Sequence, residues 1–189
     1  VRLDRNYGFA GGYNRAIAQV EADYCVLLNS DVETTEGWLE PLVGRLDADP
    51  TVAAVAPKLL SYMQRDMFEY AGASGGFIDY LGYPFCRGRI LKHLEQDRGQ
   101  YDDRRRVFWA SGAAMCCRRD VFMRLGGVAS EFFAHMEEID LCWRMQIAGY
   151  SVEVEPRSRV YHLGGGTLAT DSPNKIFYNH RNNLAMLYR

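Results

Sequence analysis

An α/β fold with a mostly parallel central sheet flanked by helices is predicted by three features of the sequence. Tyr24-Cys25-Val26-Leu27-Leu28 is a continuous apolar run, the mark of a strand covered on both faces. Behind it Trp38, Leu39, Leu42, Val43 and Leu46 recur at helical spacing. Val52-Ala53-Ala54-Val55-Ala56 is a second apolar run, ending at Pro57. Such alternation of strand and helix patterns builds a sheet with helices packed on its faces.

Taken in order, the elements begin with Gly8-Phe9-Ala10-Gly11-Gly12, a glycine-rich turn entering a short helix marked by Tyr13, Ala16, Ile17 and Val20. The first strand ends at the polar triplet Asn29-Ser30-Asp31, and the helix containing Trp38 closes near Asp49-Pro50. Residues 61–106 are rich in glycine, aromatic and charged residues and weak in periodicity, so they read as a loop-rich excursion with a hairpin around Phe77 to Phe85. A structureless stretch of that length is uncommon unless it carries function. Arg104-Arg105-Arg106 could hold a phosphate but reads as solvated surface.

Val107-Phe108-Trp109 and Gly112 to Cys117 are strand material. Asp120 is placed to cap a short helix through Leu125, stopped by Gly126-Gly127. A helix is expected from about Glu137 to Ala148, strands at Val152 to Val154 and Arg159 to His162, and a last helix from about Asn174 to Tyr188. With no internal repeat and no low-complexity tract, residues 1–189 read as one domain.

Composition narrows the function classes. The 189 residues are 48% hydrophobic and 24% charged, ordinary for a globular domain with a proper core. A net charge of -2 gives no electrostatic basis for binding nucleic acid, which demands a basic face. The five cysteines are odd in number and irregularly spaced, so they are expected to be reduced thiols of a cytosolic protein, not a disulfide framework or a zinc site. No apolar stretch approaches the ~20 residues of a membrane-spanning helix, and no signal peptide opens the chain.

Three places carry groups suited to chemistry. Asn29-Ser30-Asp31 stands at the end of a buried strand, where α/β sheets place ligands, and Asp31 could bind a hard divalent cation there; a turn or helix cap is the commoner role for such a triplet. Glu138 shares a helix face with Leu141, Cys142, Met145 and Ala148, so it points toward the protein body or a cleft, where desolvation makes a carboxylate a better proton acceptor. Its neighbours Glu137 and Asp140 lie on an adjoining face, and Asp140 and Arg144 are spaced for an i,i+4 ion pair. His162 closes a strand running into Gly164-Gly165-Gly166-Thr167 and could complete an Asp/His site for Mn²⁺ or Mg²⁺.

In order, Arg5 to Asn14, Leu27 to Val32, Trp109 to Met115, Glu137 to Arg144 and His162 to Thr167 resemble segments of the inverting glycosyltransferases of family 2, which have the GT-A fold. The likeness covers nearly the whole chain and points to the bacterial subgroup of rhamnosyl-, galactofuranosyl- and related transferases that build surface polysaccharides. It implies a nucleotide-diphosphate sugar as donor and a saccharide or lipid-linked acceptor. By the resemblance, Asn29-Ser30-Asp31 is the DxD-type motif with Asp31 on the metal, Asn29 replaces the first Asp, His162 is a further metal ligand, and Glu138 is the general base. Arg5, Asn6 and Asn14 fall in the segment lining the nucleotide pocket, while Trp109, Ser111, Gly112 and Glu137 form the acceptor side, to which residues 61–106 also belong. Family members open with two further βα units carrying a nucleotide-contacting Asp; these are not found here, so the donor pocket is expected to be incomplete and the fragment inactive by itself. The resemblance also implies a cytoplasmic enzyme, associated peripherally with the inner face of the plasma membrane.

Rival readings fit less of the sequence. A haloacid-dehalogenase-type phosphatase needs an aspartate nucleophile where Asn29 stands. A dinucleotide-binding oxidoreductase needs a GxGxxG spacing that Gly8, Gly11 and Gly12 do not provide. A non-catalytic nucleotide- or carbohydrate-binding module of the same fold is the remaining alternative.

Overall fold

The computed structural model describes residues 1–164 and 173–189. The chain opens with α1 (Gly8–Ala18), β1 (Tyr24–Leu28), β2 (Val32–Thr34), α2 (Leu39–Ala48) and β3 (Val52–Ser61). Four short strands follow, β4 (Gly76–Ile78), β5 (Pro84–Cys86), β6 (Arg89–Ile90) and β7 (His93–Leu94). The remainder comprises β8 (Arg105–Val107), β9 (Ala114–Arg118), α3 (Arg119–Arg124), α4 (Glu137–Ile147), β10 (Ser151–His162) and α5 (Pro173–Tyr188).

The α/β expectation of a central sheet with flanking helices holds, but the sheet is mixed. Its order is β1-β9-β3-β10-β2, with β8 also on β10. Among the described residues only β3 and β10 pair in parallel; β9 runs antiparallel to both β1 and β3, and β2 and β8 run antiparallel to β10. The mostly parallel pairing is therefore corrected. A strand buried on both faces shows the same continuous apolar run whichever way its neighbours point, so the pattern could not reveal that β9 inserts between β1 and β3.

The sheet is covered on both sides. Val52, Val55 and Cys116 pack with Leu42 and Leu46 of α2 on one face. On the other, Leu27, Ala54, Met115 and Cys117 join Ile17 of α1, Val121 of α3 and Leu141 and Met145 of α4. Successive strand residues face opposite sides, so β3 is buried at every position but its last. All five cysteines are free thiols.

β10 is one strand where the sequence suggested two. Its register against β3 slips between Glu155 and Arg159, a bulge around Pro156 that gives the polar interruption seen in the sequence. Asp120, expected as a cap, lies instead in the first turn of α3; the N-cap is Arg118, and no side chain caps that end. The acidic side chain still sits near the positive end of the helix. Gly126 and Gly127 follow the helix with φ of 82° and 70°, conformations only glycine adopts without strain.

Much of the 61–106 excursion is ordered as a small antiparallel sheet, β4-β5-β6-β7. The hairpin expected near Phe77 to Phe85 is β4–β5, with those two residues opposite each other and their rings stacked at 5.7 Å. Strands of two or three residues are too short to print a period, which is why the rest read as loop. Lys58 of β3 anchors the stretch that follows this sheet: its fully buried ammonium lies 3.0 Å from both carboxylate oxygens of Asp97 and contacts Asp102. Arg104, Arg105 and Arg106 are exposed, as expected of a solvated run. Among the described residues, no helix is long and apolar enough to cross a membrane.

Candidate active site

The end of β1 turns through Asn29 to Val32, held by the Asn29 amide on the Ala113 carbonyl at 2.9 Å and the Val32 amide on the Asn29 carbonyl at 3.3 Å. β2 then pairs with β10 so that Val32 lies opposite His162. This register brings two predicted residues into contact: His162 Nε2 is 3.2 Å from Asp31 Oδ1. The other ring nitrogen, Nδ1, is 3.3 Å from Glu69 Oε1 but not in hydrogen-bond geometry, and it has no other partner. Glu69 is buried and its second oxygen accepts the Ala71 amide at 2.5 Å. Burial alone would lower the His162 pKa; the Glu69 and Asp31 carboxylates outweigh it and raise the pKa.

The residues present fit a divalent cation. Two donors at right angles on an octahedral ion, each at ~2.1 Å, are about 3 Å apart, close to the 3.2 Å between His162 Nε2 and Asp31 Oδ1. A carboxylate behind the distal ring nitrogen, the place Glu69 takes, is the usual means of orienting a metal-binding histidine. Among the described residues, no group of three or more His, Cys, Asp or Glu forms a metal cage, so a cation here would complete its sphere from a ligand or water. Gly165, Gly166 and Thr167 lie outside the described residues.

Glu138 occupies the first turn of α4, after a bend in which Phe133, His135 and Met136 all have positive φ, at 65°, 69° and 74°. Non-glycine residues held this way store strain, a feature that gathers at functional sites. The half-buried Glu138 lines a cavity of about 360 Å³ with Tyr70, Trp109, His135, Lys175 and Asn183. Burial pushes its carboxyl up to about 6. Glu137, expected on the acceptor side, is not among the lining residues; it is buried beside the cavity with Oε2 unpartnered. Burial, then the neighbouring Glu138 charge, pushes Glu137 up to about 8.

Asp31 and His162 meet directly, and Glu138 reaches them through intermediates. Glu69 touches His162, and the next two residues, Tyr70 and Ala71, belong to the Glu138 cavity wall. From the other direction, a Cβ on Gly112 would sit 3.6 Å from Glu138 Cβ and 3.0 Å from Phe9 Cζ, and the adjacent Ala113 carbonyl holds the Asn29 amide. Trp109 lines the cavity, its indole donating to the Phe77 carbonyl at 3.0 Å. Ser111 is buried, and its hydroxyl accepts the Ala113 amide at 3.2 Å.

The amino-terminal residues behave differently from expectation. Asn14, expected to line a nucleotide pocket, spends its amide on the loop after α3: Nδ2 donates to the Val128 carbonyl at 2.8 Å and to Ser130 Oγ at 3.3 Å, and Oδ1 accepts the Val128 amide at 3.0 Å. It is a loop clamp. Asn6 turns the chain into α1 by accepting the Gly8 amide at 2.8 Å, and the exposed Arg5 rests 4.8 Å over the Tyr7 ring. Asp140 and Arg144 form the expected pair at 2.6 Å, and Arg144 also ties down the carbonyls of Leu125 and Gly127. Sequence reasoning missed Glu69, Arg89 and His135; nothing in the weakly periodic excursion distinguishes Glu69 from its other acids.

The profile of glycosyl transferase family 2 matches residues 1–126. The chain belongs to this family. It is 31% identical over 175 residues to a pre-mycofactocin glycosyltransferase of Mycobacterium tuberculosis, covering 90% of this chain and 33% of that protein. It is 25% identical over 200 residues to an N-acetylglucosaminyl-diphospho-decaprenol L-rhamnosyltransferase of the same organism, covering 96% and 64%. The crystal structure of GalNAc-T7 with UDP, GalNAc and Mn²⁺ superposes with a TM-score of 0.71 over the whole chain and 36% of that chain, at 15% identity, which establishes the GT-A type of fold. The chain spans about a third of the length of the first curated relatives it matches. Membership of this family sets aside the phosphatase and oxidoreductase readings.

Proposed function

We propose that this glycosyl transferase family 2 chain transfers a sugar from a nucleotide-diphosphate donor to a hydroxyl of a saccharide or lipid-linked acceptor, with inversion and metal assistance. The observation that carries the reading is the 3.2 Å approach of Asp31 and His162 beside the Glu138 cavity. Asp31 and His162 would hold Mn²⁺ or Mg²⁺, and the cation, when bound, neutralises charge growing on the leaving diphosphate. Glu69, 3.3 Å behind Nδ1, would orient the His162 ring by accepting its N–H, so that Nε2 is presented beside Asp31.

Glu138 accepts the proton of the acceptor hydroxyl as that oxygen attacks the anomeric carbon and the bond to the diphosphate breaks. The proton ends on the carboxylate, the electron pair leaves with the diphosphate, and one displacement inverts the centre. A carboxyl at about 6 is mostly ionised at pH 7 yet more basic than an ordinary glutamate, which suits a general base worth ~10²- to 10⁴-fold. Trp109 and the tight Gly112 turn hold the cavity wall against Glu138.

The resemblance to surface-polysaccharide transferases supports the same role here, in the cytoplasm with peripheral association at the inner face of the plasma membrane. The second reading, a non-catalytic nucleotide- or carbohydrate-binding module, is favoured by the Asn14 amide, which is committed to the Val128 loop and not open toward a donor. Glu138→Gln separates the two. In a radiolabelled-sugar transfer assay on a chain that carries the two amino-terminal βα units, the substitution should cut turnover at least ~100-fold with donor binding retained; turnover within a few-fold of the parent would remove Glu138 from the mechanism. Donor binding with no transfer by a parent that carries those units would favour the binding module.

A further inference from the structure

Among the described residues, the buried polar side-chain atoms lacking a hydrogen-bond partner are Arg89 Nε, His135 Nε2, Glu137 Oε2 and His162 Nδ1. All four lie at or beside the two halves of the candidate site, and Arg89 and His135 belong to the wall of the Glu138 cavity. Leaving a buried polar group unsatisfied is costly, and two such nitrogens in one cavity are donors or acceptors a ligand could meet.

Arg89 is the more telling of them. Its guanidinium lies 4.1 Å over the Tyr70 ring, Nη1 makes a long 3.4 Å contact with the Leu91 carbonyl, and the neutral Cys86 thiol lies beside it. The same side chain also borders a second hollow, of about 430 Å³, on the small sheet. There the charge is already met: Arg87 and Arg105 pair with Asp103 at 2.9 and 3.0 Å. No carboxylate among the described residues pairs with Arg89. On the Glu138 side, Arg89 belongs to a wall whose single carboxylate is Glu138 itself. Burial and the Lys175 charge lower the His135 pKa, so its ring is neutral near pH 7 and able to donate or accept one hydrogen bond.

We infer that the acceptor carries an anionic group, a phosphate or carboxylate, close to the hydroxyl it offers to Glu138, and that Arg89 grips this group. A planar guanidinium stacked on an aromatic ring presents its N–H donors as a fork matching the paired oxygens of such anions. The inference rests on the reading of the Glu138 cavity as the acceptor site, and it goes beyond that reading by fixing the acceptor's charge class. A neutral saccharide would leave the Arg89 charge buried and unpaired, which discriminates against it.

The test uses histidine-labelled protein, nuclear magnetic resonance, and glucose 1-phosphate and glucose as probes, with a chelator present so that no cation recruits the phosphate. Glucose 1-phosphate should move the His135 resonance, leave His93 on β7 unmoved, and bind at least ~10-fold more tightly than glucose. Arg89→Gln should reduce its affinity to that of glucose, and Arg89→Lys should recover part of it. Glucose 1-phosphate should still bind when Mn²⁺ and saturating UDP are added. Equal affinity for the two probes, or full affinity in Arg89→Gln, overturns the inference; displacement by UDP with Mn²⁺ overturns it too, by assigning Arg89 to the donor. Failure of the underlying reading looks different, since normal transfer by Glu138→Gln would leave phosphate binding at Arg89 intact.

Discussion

Replacing Lys58 with Met should loosen the 61–106 excursion, which carries both Glu69 and Arg89. Lys58 is completely buried in β3, bonded through Nζ to both oxygens of Asp97 at 3.0 Å and to Asp102, and its ammonium lies 5.6 Å from the Phe68 ring. The two acids are not equal: the Asp97 side chain is 9% exposed and that of Asp102 is 47% exposed. Water can therefore take up the charge of Asp102 but not that of Asp97. Removing one partner of a buried pair costs about 3–5 kcal/mol, mostly the penalty of the charge left behind. Urea denaturation should show a loss of that size, and Asp97→Asn added to Lys58→Met should restore about half of it. Hydrogen exchange should place the weakened amides within this excursion. A loss below about 1 kcal/mol in the single variant, or no recovery in the double, would refute the assignment of Lys58 as its anchor.

Other consequences are equally direct. Because Glu138 must be ionised to accept a proton and its carboxyl is pushed up to about 6, turnover should rise with pH through about 6 and level off above it; a limb near 4.5 would show that Glu138 is not the base. Glu137 is raised further, by burial and by the Glu138 charge, so the folded state holds its proton more tightly than the unfolded chain does. Stability should therefore fall as pH rises from about 4.5 to about 8, and Glu137→Gln should flatten that decline in thermal unfolding. A Cβ on Gly76 would lie 1.9 Å from Trp109 Cε2, so Gly76→Ala must push the indole out of the cavity wall, at a cost of about 3 kcal/mol and with a shifted tryptophan emission. Asn14→Ala should destabilise by about 2–3 kcal/mol, measured by denaturation, by leaving the backbone of the buried Val128 unpaired.

The sequence made the α/β class, most helices and the Phe77 to Phe85 hairpin legible, because each depends on a local period or a local turn. Strand direction depends on which strand inserts beside which, and no residue of β1 or β3 records that β9 runs against them both. Asp31 and His162 were legible for a related reason: each closes a strand, and the ends of sheet strands gather. Glu138 stood out because its face of α4 is otherwise apolar. Asn14 misled because an amide in a glycine-rich turn looks the same whether it faces a nucleotide or clamps a backbone 114 residues away. Glu69 and Arg89 were hidden because their positions depend on strands too short to show a pattern.

The central claim is that Asp31 and His162, oriented by Glu69, hold a divalent cation beside the Glu138 cavity. Titrating the chain with Mn²⁺ and following the free ion by electron paramagnetic resonance tests it most directly. Asp31→Asn and His162→Ala should each weaken binding at least ~10-fold, and Glu69→Gln ~10- to 100-fold through the lost orientation of the His162 ring. Unchanged Mn²⁺ affinity in a protein lacking both the Asp31 carboxylate and the His162 imidazole would contradict the account.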